Sequence, residues 1–99
     1  MKKENKILLL LQANLAEIKI KYPIQSMAVF GSYNRGDEKP NSDLDILYET
    51  LPNTYLNLHK YLALQKELSE LTNLKIDLVN KKNINDIVWL TAQRDILYV

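Results

Sequence analysis

The stretch "GSYNRGDEKPNSDLDIL", residues 31–47, decides how this chain is read. It holds both glycines of the sequence and then spaces Asp43 and Asp45 one residue apart, in a segment with the alternation of a strand. On a strand, residues i and i+2 face the same side, about 6.5–7 Å apart along the backbone. Asp is depleted there because its short polar side chain competes with the backbone for hydrogen bonds. Two carboxylates about 6 Å apart repel by roughly 3 kcal/mol at an effective dielectric of about 20, and by under about 1 kcal/mol in open water. In a pocket the pair calls for a cation; on an open strand edge it calls for nothing.

Gly31 closes the apolar run "SMAVF" (26–30) and is followed by Ser32. At a strand-to-helix turn, such a pair offers unpaired backbone N–H groups and a hydroxyl, a corner suited to phosphate. Arg35 either pins the loop or neutralises phosphate charge, and Gly36 is expected to supply a positive φ. A third acid, Asp77, interrupts the apolar run "LKIDLVN". If its strand neighbours that of Asp43 and Asp45, three carboxylates and a phosphate corner form an oxygen-only site. Such a donor set suits Mg²⁺ or Mn²⁺ and two-metal phosphoryl or nucleotidyl transfer.

Outward from this loop, the pattern predicts alternating helices and strands. Ile7, Leu8, Leu11, Leu15 and Ile18 recur at helical spacing over residues 3–22, and Pro23 stops them. Strands are expected at 26–30, 43–49 and 74–79. A second long helix is predicted over 53–72, capped by Asn53 or Thr54, with Leu58, Tyr61, Leu62, Leu68 and Leu71 on or near one face. Asn83 or Asn85 would cap a last helix carrying Ile87, Val88, Trp89 and Leu90, and "DILYV" (95–99) reads as a short edge strand. The sum is an α/β fold: a small mixed sheet of three to four strands flanked by helices.

The 99 residues suffice for one modest core, so a single domain over residues 1–99 is expected. A net charge of +1 gives no broad electrostatic attraction for nucleic acid. The absence of cysteine excludes disulfides and thiolate metal sites and fits a cytoplasmic protein. At the N-terminus, Glu4 breaks the basic stretch, and Gln12 and Asn14 interrupt the apolar run. We therefore expect a mature amphipathic helix there and not a leader. No apolar stretch approaches the roughly 18 residues that would span a bilayer.

Gly31-Ser32-x-x-Arg35-Gly36 followed by Ser42-Asp43-x-Asp45, with Asp77 on a later strand, resembles the signature of the DNA polymerase beta-like nucleotidyltransferase superfamily. Chain length and element order resemble its minimal (MNT) branch over nearly the whole chain. The resemblance implies that Gly31 and Ser32, with Arg35 and Ser42, hold the nucleotide. It also implies that Asp43 and Asp45 bind two Mg²⁺ ions, with Mn²⁺ as a substitute, and that Asp77 completes the site at which an acceptor hydroxyl attacks the α-phosphate. Many MNT proteins are antitoxins that use ATP to AMPylate a tyrosine of a HEPN-domain toxin, so ATP and such a toxin are the implied substrate and partner. Nucleic acid would be met only through that partner. Tyr48 departs from the usual aliphatic residue and should face away from Asp45.

Two rival functions resemble parts of this picture. Drug-modifying nucleotidyltransferases of the aminoglycoside type carry a further helical domain, for which the 19 residues after Asn80 leave no room. The acceptor surface is then expected from a partner or a second copy. A non-catalytic module that neutralises a toxin by docking alone is the other rival. His59, Trp89 and the lysines at 2, 3, 6, 81 and 82 are read as surface, core or interface residues without chemistry. Leu56, Leu64 and Trp89 hint at more apolar surface than one small core buries.

Overall fold

The computed structural model describes residues 3–31 and 43–99. These form helices α1 (Lys3–Lys21), α2 (Leu58–Thr72) and α3 (Asp86–Ala92), and strands β1 (Ile24–Phe30), β2 (Leu44–Thr50), β3 (Ile76–Asn80) and β4 (Leu97–Tyr98). The strands make one mixed sheet in the order β3-β2-β1-β4. β1 is antiparallel to both β2 and β4, whereas β2 and β3 run parallel. A parallel pair cannot be joined by a tight turn, and α2 is the crossover that returns the chain. The expected small mixed sheet flanked by helices is the observed architecture.

One sheet face carries the core. Met27 and Val29 of β1 stand opposite Tyr48 and Ile46 of β2, and Leu44 and Ile46 stand opposite Ile76 and Leu78 of β3. All are buried, and α1 adds Leu11 and Ile18 while α2 adds Leu64 and Leu68. The buried stripe of α1 is therefore the one its spacing predicts. Tyr48 does face away from Asp45: it lies in this core, its ring tilted 53° to that of Tyr61 at 6.4 Å.

Two expectations for α2 are corrected. Asn53 and Thr54 do not cap it, because Asn53 takes φ 64°, a left-handed conformation that no helix can pass through. Thr54 instead closes a turn on the Leu51 carbonyl, through its backbone N–H at 3.1 Å and its hydroxyl at 2.6 Å. Helix α2 begins after Asn57, whose side chain accepts from the Lys60 N–H at 2.8 Å. The predicted face holds at Leu68, Tyr61 and Leu71 but not at Leu58 and Leu62, whose place Leu64 takes. Leu64 and Leu68 are fully buried, while Leu58 and Leu62 are 73% and 52% exposed. Leu64 is thus core and no sign of surplus apolar surface.

Asn85 caps α3, accepting from the Val88 N–H at 2.8 Å. "DILYV" divides between a 3₁₀ turn ending at Asp95 and the two-residue β4. Because β3 and β4 lie on opposite edges of the sheet, the chain between them crosses β2 and β1. It does so over the face away from α1 and α2, and α3 lies in that crossing. Among the described residues no helix is long and apolar enough to cross a membrane.

Two measurements check this packing. Leu64→Ala should lower the unfolding free energy by about 2–5 kcal/mol in a urea titration, and Leu62→Ala by under about 0.5 kcal/mol. Tyr22, Tyr48 and Tyr61 all have phenols pushed above the ordinary 10.0, in each case mainly by burial. The fold thus favours the neutral phenols, whose contribution is full below about pH 10 and is lost as pH rises through the folded-state values. Urea midpoints should fall as the pH is raised above about 10 and rise again when the pH is returned.

Candidate active site at the sheet end

β1 ends, and β2 and β3 begin, at one end of the sheet. Phe30 pairs with Asp45, and Asp45 pairs with Asp77 across the parallel ladder. Paired residues on adjacent strands share a face, at backbone separations near 4.8 Å. Asp45 and Asp77 are therefore neighbours on the face opposite the α1–α2 core. Asp43, just before β2, falls on the same side by alternation. Asp43 and Asp45 are half-buried and Asp77 is exposed. The predicted juxtaposition of the third acid with the first two is thus present at the level of strand register. Among the described residues, no three histidine, cysteine or carboxylate side chains already gather tightly enough to hold a metal ion.

Gly31 is buried against this group with φ +87°, a conformation that side chains other than hydrogen rarely adopt. A Cβ built there would collide with the Asp45 carboxylate. Gly31 is thus required by backbone angle and by the closeness of Asp45 together. Ser32, Arg35, Gly36 and Ser42, and the helical turn expected from Ser32, lie outside the described residues.

On the other side of Asp45 the crossing helix α3 completes a cleft of ≈ 380 Å³. Phe30, Gly31 and Asp45 form its floor, and Ile87, Val88 and Thr91 its wall. No sequence pattern announces this wall, since it depends on where a seven-residue helix crosses the sheet. Farther along the same face, Ser26 Oγ donates to Glu49 Oε1 at 3.1 Å and Lys81 Nζ pairs with that oxygen at 3.5 Å. The Lys81 ammonium also lies 4.7 Å from the centroid of the Trp89 ring. Lys81, expected to be a solvated charge, instead ties β2 to α3. His59 is exposed on α2, away from the acids.

Gly31→Ala should be the most damaging single-methyl change at the site. It should lower the thermal midpoint, and Asp45→Ala in the same background, which removes the collision, should restore only part of the loss because the backbone strain persists.

Comparison with known proteins agrees with this geometry. Residues 13–98 match the family model described as a nucleotidyltransferase domain. A "putative protein adenylyltransferase" of Methanocaldococcus jannaschii is 41% identical over 83 residues, 83% of each chain. Protein adenylyltransferase MntA of Thermococcus cleftensis is 35% identical over 92 residues, 91% of this chain and 89% of that one. Among solved structures, a "putative minimal nucleotidyltransferase" superposes with a TM-score of 0.74 at 23% identity, covering 98% of this chain and 95% of that one. A toxin–antitoxin crystal structure with AMP-PNP gives a TM-score of 0.66 at 25% identity, covering 97% of this chain and 71% of that one. The family match over most of the chain, these relatives and the shared fold lead to one assignment: this protein belongs to the nucleotidyltransferase domain family and is a nucleotidyltransferase.

Proposed function

We propose that this chain transfers AMP from ATP to a hydroxyl acceptor, a tyrosine of a HEPN-family toxin, and thereby acts as an antitoxin. The observation that carries the reading is the register of Asp45 with Asp77 beside the positive-φ Gly31. It is supported by relatives named protein adenylyltransferase and by structural neighbours that are toxin–antitoxin complexes, one of them a tri-AMPylated HEPN toxin with its MNT antitoxin.

In this reading Gly31 and Ser32 hold the β- and γ-phosphates, with Arg35 and Ser42 supporting the same nucleotide. Gly31 leaves room for the phosphates beside Asp45, where a larger residue would fill it. Asp43, Asp45 and Asp77 offer only carboxylate oxygen, the donor type preferred by Mg²⁺ and accepted by Mn²⁺. Asp43 and Asp45 would hold two such ions, and Asp77 would be drawn in from β3 as the remaining ligand. When bound, the ions would offset phosphate charge and lower the pKa of the acceptor hydroxyl, which for a free phenol is about 10. The carboxylates orient that hydroxyl in line with the α-phosphorus. Its oxygen forms the new P–O bond, the bond to the β-phosphate bridge breaks, pyrophosphate leaves, and the phenolic proton passes to a carboxylate or to solvent. Ile87 and Val88 line the cleft and are exposed, which favours an acceptor carried on a protein partner.

Incubation with labelled ATP, Mg²⁺ and a HEPN-family toxin tests the reading. Wild type should label the toxin, EDTA should abolish labelling, and Asp43→Asn with Asp45→Asn should cut it by at least about 100-fold. If that double variant still neutralises the toxin fully, docking and not catalysis is the mechanism.

A further inference from the structure

β3 is an edge strand, and its outward backbone groups would ordinarily be left to water or to a foreign strand. Here its outward carbonyls at Ile76 and Leu78, and that of Leu74 just before it, are met by one stripe of α2. Ser69 Oγ donates to the Leu74 carbonyl at 2.7 Å, Gln65 Nε2 to the Ile76 carbonyl at 3.0 Å, and the Tyr61 hydroxyl to the Leu78 carbonyl at 2.5 Å. Lys75, one residue out of step, turns its carbonyl the other way and accepts from the Leu44 N–H of β2 at 2.8 Å.

The spacing explains why three rungs fit. Four residues of helix rise about 6.0 Å, and two residues of strand about 6.6 Å. A donor at every fourth position of α2 therefore meets every second carbonyl of an antiparallel neighbour with little accumulated error. The helix itself is anchored by Leu64 and Leu68, both fully buried. β3 is thus held along its axis twice, by β2 on one edge and by side chains of α2 on the other. Tyr61 stays a donor throughout the physiological range, since burial and the nearby Asp77 both push its phenol upward.

The register so held is the one that matters for the site. A slip of one residue turns Asp77 to the opposite face, and a slip of two carries it about 6.6 Å from its place beside Asp45. We propose that Tyr61, Gln65 and Ser69 are positioning residues: their ladder to the β3 carbonyls keeps Asp77 opposite Asp45. The proposal rests on the reading of Asp77 as a ligand of the site. The same ladder occupies carbonyls that an added strand would need, which disfavours strand addition at this edge.

Two single variants, Tyr61→Phe and Gln65→Leu, remove one rung each with little change of volume. Tyr22→Phe is the control, because it removes a comparable phenol bond, to Glu67 Oε1 at 3.3 Å, far from the acids. Two readouts are taken on the full chain: amide hydrogen exchange along β3, and Mn²⁺ binding followed by the free-ion electron paramagnetic resonance signal. Each ladder variant should speed exchange at Asp77 and Val79 and weaken Mn²⁺ binding by about fivefold, the factor that one net hydrogen bond carries. Tyr22→Phe should do neither. Unchanged β3 exchange, or faster exchange with Mn²⁺ binding intact, overturns the proposal, as does a wild type that binds no Mn²⁺. A wild type that binds Mn²⁺, loses it in both variants and yet labels no acceptor would keep the positioning role and remove the transfer reading instead.

Discussion

Placing Asp45 and Asp77 side by side on adjacent parallel strands sets two like charges a few ångströms apart, and the rest of the molecule is organised around making that arrangement hold. With Asp77 exposed to water, the repulsion costs under about 1 kcal/mol, and more where a partner or ligand excludes water. The opposite face of the same strands repays it. Leu44, Ile46, Ile76 and Leu78 pack beneath the acids against α1 and α2, and their burial ties the register to the largest apolar surface in the fold. Because side chains alternate, any slip that relieved the charges would expose this core.

The second constraint is steric. Gly31 closes β1 in a left-handed conformation directly against the Asp45 carboxylate, so backbone replaces side chain where a ligand would need space. Among the described residues, cover on this face comes from the crossing chain between β3 and β4. α3 is short and held partly by Trp89 over the Lys81 ammonium, with Lys81 paired in turn to Glu49 of β2. This short helix leaves Ile87, Val88 and Leu90 exposed, as the proposed transfer to a protein-borne hydroxyl would require. A protein partner can supply what a second domain supplies in larger transferases.

The two sheet edges are treated differently. Carbonyls along β3 accept from hydroxyl and amide groups of α2, which occupies acceptors that a further strand would use. β4 is a two-residue strand pairing with Ala28 and Val29, too short to offer a long edge. Both devices keep a small sheet from recruiting further strands while its acid-bearing face stays accessible.

Much of this was written in the sequence. Helical spacing in α1, the apolar strands, the acid at every odd position of "SDLD" and the glycine before Ser32 follow from local periodicity and local stereochemistry, and they identified the nucleotidyltransferase signature and the sheet. Strand neighbours and faces were the next step, and Asp77 came beside Asp45 because a β-α-β crossover makes consecutive strands adjacent and parallel. Other features were not legible. The start of α2 at Asn57 turned on a left-handed Asn53, and its buried face turned on Leu64 and not Leu62, because tertiary packing chooses between two apolar stripes that periodicity scores alike. The cleft wall from α3, the Lys81–Trp89 contact and the ladder from Tyr61, Gln65 and Ser69 join residues whose proximity exists only after the sheet is assembled. Local patterns determine which elements form and which residues could do chemistry; only the packed fold decides which of them meet, because long-range contacts depend on the burial of every element at once.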